Sequence, residues 1–127
     1  FIDIHSHSDF TLLVDPRAQS SISQGVTTEL IGNCGHGCAP ITEPDRFKAN
    51  IYGYTPEVEI DWETMAEYLD RLDAARPAVN VATLVPNGNL RLAVEGMVTA
   101  LRGMVPVTKV NPEVVPRWIE RIGPLVK

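Results

Sequence analysis

VTTELIGNCGHGCAP, Val26–Pro40, carries a strand-to-loop transition in fifteen residues. Val26 to Ile31 is rich in β-branched side chains and predicts a strand, because such side chains suit a pleated, half-buried surface. Gly32, Gly35 and Gly37 follow at close spacing, a run too rich in glycine for either helix or strand. Cys34 therefore falls just past the C-terminal end of a strand, inside a tight loop. For Cys34 by itself, a small buried residue in such a loop explains the glycines as well as a ligand does.

Upstream, Phe1 to His5 is short and apolar-rich, as a buried parallel strand is expected to be. Between these two strands, Asp15 can cap a helix with Pro16 at its first position and Gly25 after its end. Downstream, residues 41–60 form a long polar connection holding Tyr52 and Tyr54, and long connections inside compact domains are often functional. Asp61 is the expected N-cap of a helix on which Trp62, Met65, Ala66, Leu69 and Leu72 recur at helical spacing, until Pro77 stops it. Val79 to Val85 reads as a third strand. The stretch from Asn89 then predicts a helix with Leu90, Ala93, Val94 and Met97 on one face. Asn111 and Pro112 open a last helical stretch carrying Trp118, Ile119, Ile122 and Leu125, interrupted by Pro116. Strands alternating with helices predict βαβ units and an α/β fold with a parallel sheet.

The 127 residues are 44% hydrophobic and 21% charged, which suits a globular domain and excludes a disordered chain. Net charge is −5, from 16 acids against 11 Lys plus Arg. With no basic cluster, nucleic acid is not an expected partner. No apolar run approaches the ~20 residues of a membrane span, so no membrane partner is expected either. Cys34 and Cys38, four apart in a loop, do not make a secreted disulfide scaffold, and a reducing, cytoplasmic setting is the expectation.

The polar residues that stand out follow the ends of the three expected strands. His5 and His7 close the first, Asn33 and Cys34 follow the second, and Asn87 follows the third. In α/β sheets and barrels that edge is where ligands bind. A strand sends residues i and i+2 to one face, so His5 and His7 can converge on one point. Two imidazoles and a thiolate are zinc ligands. A competing local site would use Cys34, His36 and Cys38, although CGHGC matches no zinc-ribbon or finger spacing. Asp9 reads either as a partner orienting a histidine or as a solvated acid beside a helix. Asn33 and Asn87 are candidates to face a substrate, and Asn87-Gly88 equally suits an ordinary turn.

Three blocks, FIDIHSHSD from Phe1, QGVTTELIGNCGHGCAP from Gln24 and NVATLVPNGNLRLAV from Asn80, together resemble the amidohydrolase superfamily. Within it, the match is to the N-acyl-D-amino-acid deacylases, or D-aminoacylases, over roughly residues 1 to 97. The histidine pair is shared by the whole superfamily, whereas the block around Cys34 is more particular to this branch. The resemblance implies the first part of a TIM-like (β/α)8 barrel and a metal-dependent hydrolase, releasing a D-amino acid and a carboxylate from an N-acyl-D-amino acid. It implies His5, His7 and Cys34 as metal ligands, for one or two zinc ions, with iron or cobalt fitting similar sites. It also implies a general-base Asp at the end of the last barrel strand.

Two departures accompany the likeness. Where the family shows a His-Gly pair after its third strand, this chain reads Pro86-Asn87-Gly88-Asn89. The chain's three histidines also lie before residue 40, while the family's other ligands fall far downstream. A barrel of this kind needs ~250 residues, so residues 1–127 are expected to be a partial barrel domain, inactive as an isolated chain. The expected partners are the remainder of the barrel, in the same polypeptide or a second chain, or another copy in a homo-oligomer. The alternative is a non-catalytic metal-binding or assembly module derived from that fold.

Overall fold

The computed structural model describes residues 1–42, 44–49 and 51–102. The last helical stretch expected from Asn111 onward lies outside the described residues.

Three strands form one parallel sheet in chain order: β1 (Ile2–Asp3), β2 (Thr28–Ile31) and β3 (Asn80–Thr83). Ile2 is opposite Thr28 and Thr28 opposite Asn80, while Asp3, Glu29 and Val81 make the next row. Each strand is shorter than its sequence suggests, yet the ladder runs on past the ends. The Ser6 amide donates to the Leu30 carbonyl at 3.1 Å, and the Leu84 amide to the Ile31 carbonyl at 2.9 Å. The β1–β2 pairing is thereby carried into the His5–His7 segment.

The first crossover is two short helices, α1 (Thr11–Val14) and α2 (Gln19–Ser23), where a single helix was expected after Asp15. Asp15 ends α1 instead of capping a helix, its amide donating to Thr11 O. Its carboxylate accepts from the Arg17 guanidinium at 2.7 Å, and Ala18 takes a left-handed φ of 46° that breaks the path. Pro16 O, at this bend, accepts the Ala78 amide at 2.7 Å and so ties the crossover to the start of β3. Gly25, with φ 80°, ends α2 as expected.

The connection after Pro40 is not wholly irregular. It contains α3 (Pro44–Lys48) and buries Phe47 and Ile51. The following helix, α4 (Met65–Ala75), starts at Thr64 rather than Asp61. Thr64 Oγ1 accepts the Glu67 amide at 3.2 Å while Glu67 Oε2 accepts the Thr64 amide at 2.8 Å, a reciprocal capping box. Asp61 pairs with Arg71 at 3.1 Å. Its buried residues are Tyr68 and Leu72, whereas Leu69, expected on that face, is 41% exposed.

The final described helix, α5 (Asn87–Leu101), begins two residues before the expected start, so Asn87 and Gly88 form its first turn rather than a free turn. Its packing face also differs from expectation. Leu92 packs against the core, whereas Leu90, Val94, Val98 and Leu101 form an exposed stripe. The roll of the helix is set by Asn89, whose buried amide donates to Gly37 O at 3.1 Å and Pro40 O at 3.0 Å.

The core covers one face of the sheet. Phe10, Ile31, Trp62 and Tyr68 are almost wholly enclosed, each worth about 1.5–3 kcal/mol in apolar burial. The opposite face is open among the described residues: Ile2 and Ile4 are mostly exposed, and Asn80 and Ala82 are exposed as well.

Candidate metal centre

The C-terminal ends of β1 and β2 build the site. After β1, Asp3 Oδ1 accepts the His5 amide at 3.0 Å and turns the chain. From there side chains alternate. Ser6 and Ser8 point back to Glu29 on β2, while His5 and His7 meet edge-to-face with ring centroids 5.4 Å apart.

After β2, Gly32 reverses direction with φ 79°, and a Cβ there would collide with the Leu84 carbonyl. A 3-10 turn follows at Asn33–Gly35, in which Cys34 has a left-handed φ of 56°. For a non-glycine residue that backbone costs about 1–3 kcal/mol and persists only where the surroundings enforce it. The turn is enforced from two sides. Asn33 Nδ2 donates to Leu30 O at 2.7 Å and to Ser6 O at 3.3 Å. Gly88, in the first turn of α5, approaches Gly35 so closely that a Cβ on it would meet Gly35 O.

The result brings Cys34 Sγ to 3.2 Å from His5 Nε2. One donor atom from each of His5, His7 and Cys34 lies within 4.8 Å of the others, and among the described residues this is the one such cluster. In a tetrahedral zinc centre the bond lengths place neighbouring ligand atoms about 3.3–3.6 Å apart. The His5–Cys34 pair, at 3.2 Å, is slightly closer than that spacing. Among the described residues the buried His7 Nδ1 has no hydrogen-bond partner. Two imidazoles and a thiol, with an unpartnered buried nitrogen among them, fit a borderline-soft divalent ion.

The local Cys34, His36, Cys38 alternative does not assemble. Cys38 is buried, its carbonyl accepting Trp62 Nε1 at 2.7 Å, and burial pushes its thiol far above the ordinary value. His36 is separated from His7 by Tyr52, whose ring lies 4.6 Å from the His7 ring and 5.2 Å from that of His36.

Asp9 is a buried anchor rather than a solvated acid. Its Oδ1 accepts the Gly32 amide at 2.9 Å, and its carbonyl accepts the Tyr68 hydroxyl at 2.7 Å. Burial raises its carboxyl above the ordinary range, opposed by its own and the Gly32 amides and by His7 and His36. Asn33 is likewise buried and tied to backbone, while Asn87 is exposed at the start of α5.

Two buried polar residues were not singled out from the sequence. Asn89 carries no local signal that separates it from other helix asparagines. Glu29 does carry one, as an acid within a β-branched strand expected to be buried.

No protein-family model matches the chain. It is 40% identical over 95 residues to the N-acyl-D-glutamate deacylase of Alcaligenes xylosoxydans xylosoxydans, covering 73% of this chain and 19% of that protein. The crystal structure of the N-acyl-D-glutamate deacylase from Bordetella bronchiseptica, complexed with zinc and a phosphonate mimic of the tetrahedral intermediate, superposes with a TM-score of 0.62. Identity there is 41%, over 73% of this chain and 19% of that one. A D-aminoacylase structure describing a binuclear metal centre gives a TM-score of 0.59 at 38% identity, over 72% and 19% of the two chains. Over the matched residues the chain is similar in sequence and fold to D-aminoacylases and N-acyl-D-glutamate deacylases, which are amidohydrolases. It spans about a fifth of the length of these relatives.

Proposed function

We propose that these residues are part of a metal-dependent amidohydrolase that cleaves the amide bond of N-acyl-D-amino acids, with His5, His7 and Cys34 as metal ligands. The observation that carries this reading is the convergence of three donor atoms within 4.8 Å at the C-terminal edge of a parallel sheet. The zinc, the phosphonate mimic and the binuclear centre of the relatives support it.

A bound divalent ion supplies Lewis acidity toward an amide carbonyl and toward water. The chain's own residues hold that ion and shape its surroundings. His5 and His7 offer neutral imidazole nitrogens, and Cys34 surrenders its proton on ligation. Thiolate with imidazole favours zinc, with iron or cobalt as substitutes. Tyr52, half-exposed against His7, walls one side of the site. The general base implied by the family resemblance is an Asp on a later strand.

The three parallel strands in sequential order, with the face carrying Ile2 and Ile4 open, support a place as the first strands of a (β/α)8 barrel. Residues 1–127 are then part of that barrel domain and inactive alone. The free cysteines suit a reducing, cytoplasmic setting.

The test is metal analysis of the full-length protein together with hydrolysis of N-acetyl-D- and N-acetyl-L-amino acids. Bound metal, D-selective amino-acid release and loss of both in Cys34→Ala are expected. Full activity without metal, or unchanged metal content in His5→Ala and Cys34→Ala, would overturn the reading.

A further inference from the structure

Glu29 is 1% exposed in the middle strand, an unusual place for a carboxylate. Among the described residues no Lys or Arg pairs with it. Its partners are three hydroxyls. Ser21 Oγ donates to Oε1 at 2.5 Å, Ser6 Oγ lies 3.1 Å from Oε2, and Ser8 Oγ donates to the same Oε2. Burying an ionised carboxylate is costly unless hydrogen bonds replace its water, and such a satisfied network fixes the groups that compose it.

The position of two of those hydroxyls makes the network more than structural. Ser6 and Ser8 alternate with His5 and His7. A segment whose side chains alternate has one rotational freedom that matters here, its roll about its own axis. Pulling both hydroxyls onto one oxygen sets that roll and turns the two imidazoles to the opposite side, toward Cys34. Ser8 N also donates to Ser6 Oγ at 3.2 Å and Ser6 Oγ lies 2.9 Å from Ser8 Oγ, so the two serines move as a unit.

We propose that Glu29 is a positioning residue for the His5–His7 pair, acting through the Ser6 and Ser8 hydroxyls from the far face of the segment. The inference rests on the metal-site reading above, but its geometry concerns the imidazoles whether or not an ion is bound.

The test uses the full-length protein and compares wild type with Glu29→Gln and with the Ser6→Ala/Ser8→Ala double variant. Glutamine keeps the shape but brings an amide N–H against a hydroxyl. With zinc, both variants are expected to lose about 10–100-fold in affinity, the usual consequence of removing a partner that orients a ligand. With cobalt, the ligand-field bands are expected to shift while the thiolate charge-transfer band from Cys34 persists. In the metal-free protein, the ring nitrogen resonances of His5 and His7 are expected to move while those of His36 stay. Combining Glu29→Gln with the serine changes is expected to add little, since they interrupt one network.

Unchanged zinc affinity, cobalt bands and ring resonances in Glu29→Gln would overturn the proposal, as would equal movement of all three histidines. If Glu29→Gln does not fold, the serine variant decides by the same readouts. If the wild type binds no metal, the metal-site reading falls, and the metal-free ring resonances still decide the role of Glu29.

Discussion

His5 Nε2 and Cys34 Sγ stand 3.2 Å apart across 29 positions of sequence. The contact exists because β1 and β2 are parallel neighbours ending at the same edge, and because Gly32 and Asn33 fold the chain back immediately after β2. Neither residue reaches the other by local geometry. A pair formed only by tertiary structure, with an imidazole and a thiol in contact and close to ligand-to-ligand spacing, is the most informative feature of the edge.

Cys34→Ala leaves the two histidines and removes the one soft ligand. Loss of a direct ligand is expected to exceed the ~100-fold upper end seen when an orienting partner is removed. Zinc competition against a chelator of known affinity measures it. Cys38→Ala is the control, expected to cost stability through a small core void without comparable loss of zinc, since Cys38 is buried away from the cluster.

Gly32→Ala tests the turn that delivers Cys34. The new Cβ would meet Leu84 O and the backbone would remain at φ 79°. Both effects act together, so a loss above about 1–3 kcal/mol is expected in urea unfolding. Zinc affinity should fall as well, because Asn33 and Cys34 follow directly on this bend. Gly25→Ala, where the nearest atoms belong to the exposed Phe1 ring 3.4 Å away, is expected to pay mainly the backbone strain.

Thr64→Ala removes half of the capping box of α4. The Glu67 amide loses its acceptor, and a cost of about 0.5–2 kcal/mol is expected. Thr64→Ser retains the oxygen and should lie near wild type. Because α4 carries Tyr68, whose hydroxyl holds the Asp9 carbonyl, the loss is expected to appear also as faster amide exchange at the end of the His5–Asp9 segment.

The succession of strands and helices and the candidate metal ligands were legible because they depend on local pattern. β-branched runs mark β2 and β3, and the spacing of His5 and His7 marks one face of an extended segment. The roll of α5 was not legible. Leu90 and Val94 form as good an apolar face as any on paper, yet Asn89 donates to Gly37 O and Pro40 O and turns that face outward. The roles of Asp9 and Glu29 were hidden for a related reason. An acid reads as solvated until the backbone amide or hydroxyls that satisfy it arrive from residues 8–23 positions away. The start of α4 shows the converse. Thr64 and Glu67 form a capping box three residues apart, a local signal overlooked in favour of Asp61.

Asp9→Asn separates the charge of Asp9 from its shape. Burial raises the Asp9 carboxyl above its ordinary 3.8, against the pull of its own and the Gly32 amides and of His7 and His36. A folded-state value above the unfolded one means that the folded protein binds the proton more tightly. The stabilisation is therefore complete below the unfolded value and is lost as pH rises through the folded value. Asparagine keeps an oxygen for the Gly32 amide but does not titrate. The stability of Asp9→Asn relative to wild type is thus expected to rise with pH across the window that begins near 3.8 and ends above the raised value, then level off. Urea unfolding of the metal-free protein at a series of pH values measures this difference. A difference that stays flat would mean that the Gly32 amide and the neighbouring imidazoles offset burial, and one that falls with pH would mean that they outweigh it and that Asp9 is held as a charged partner of those imidazoles.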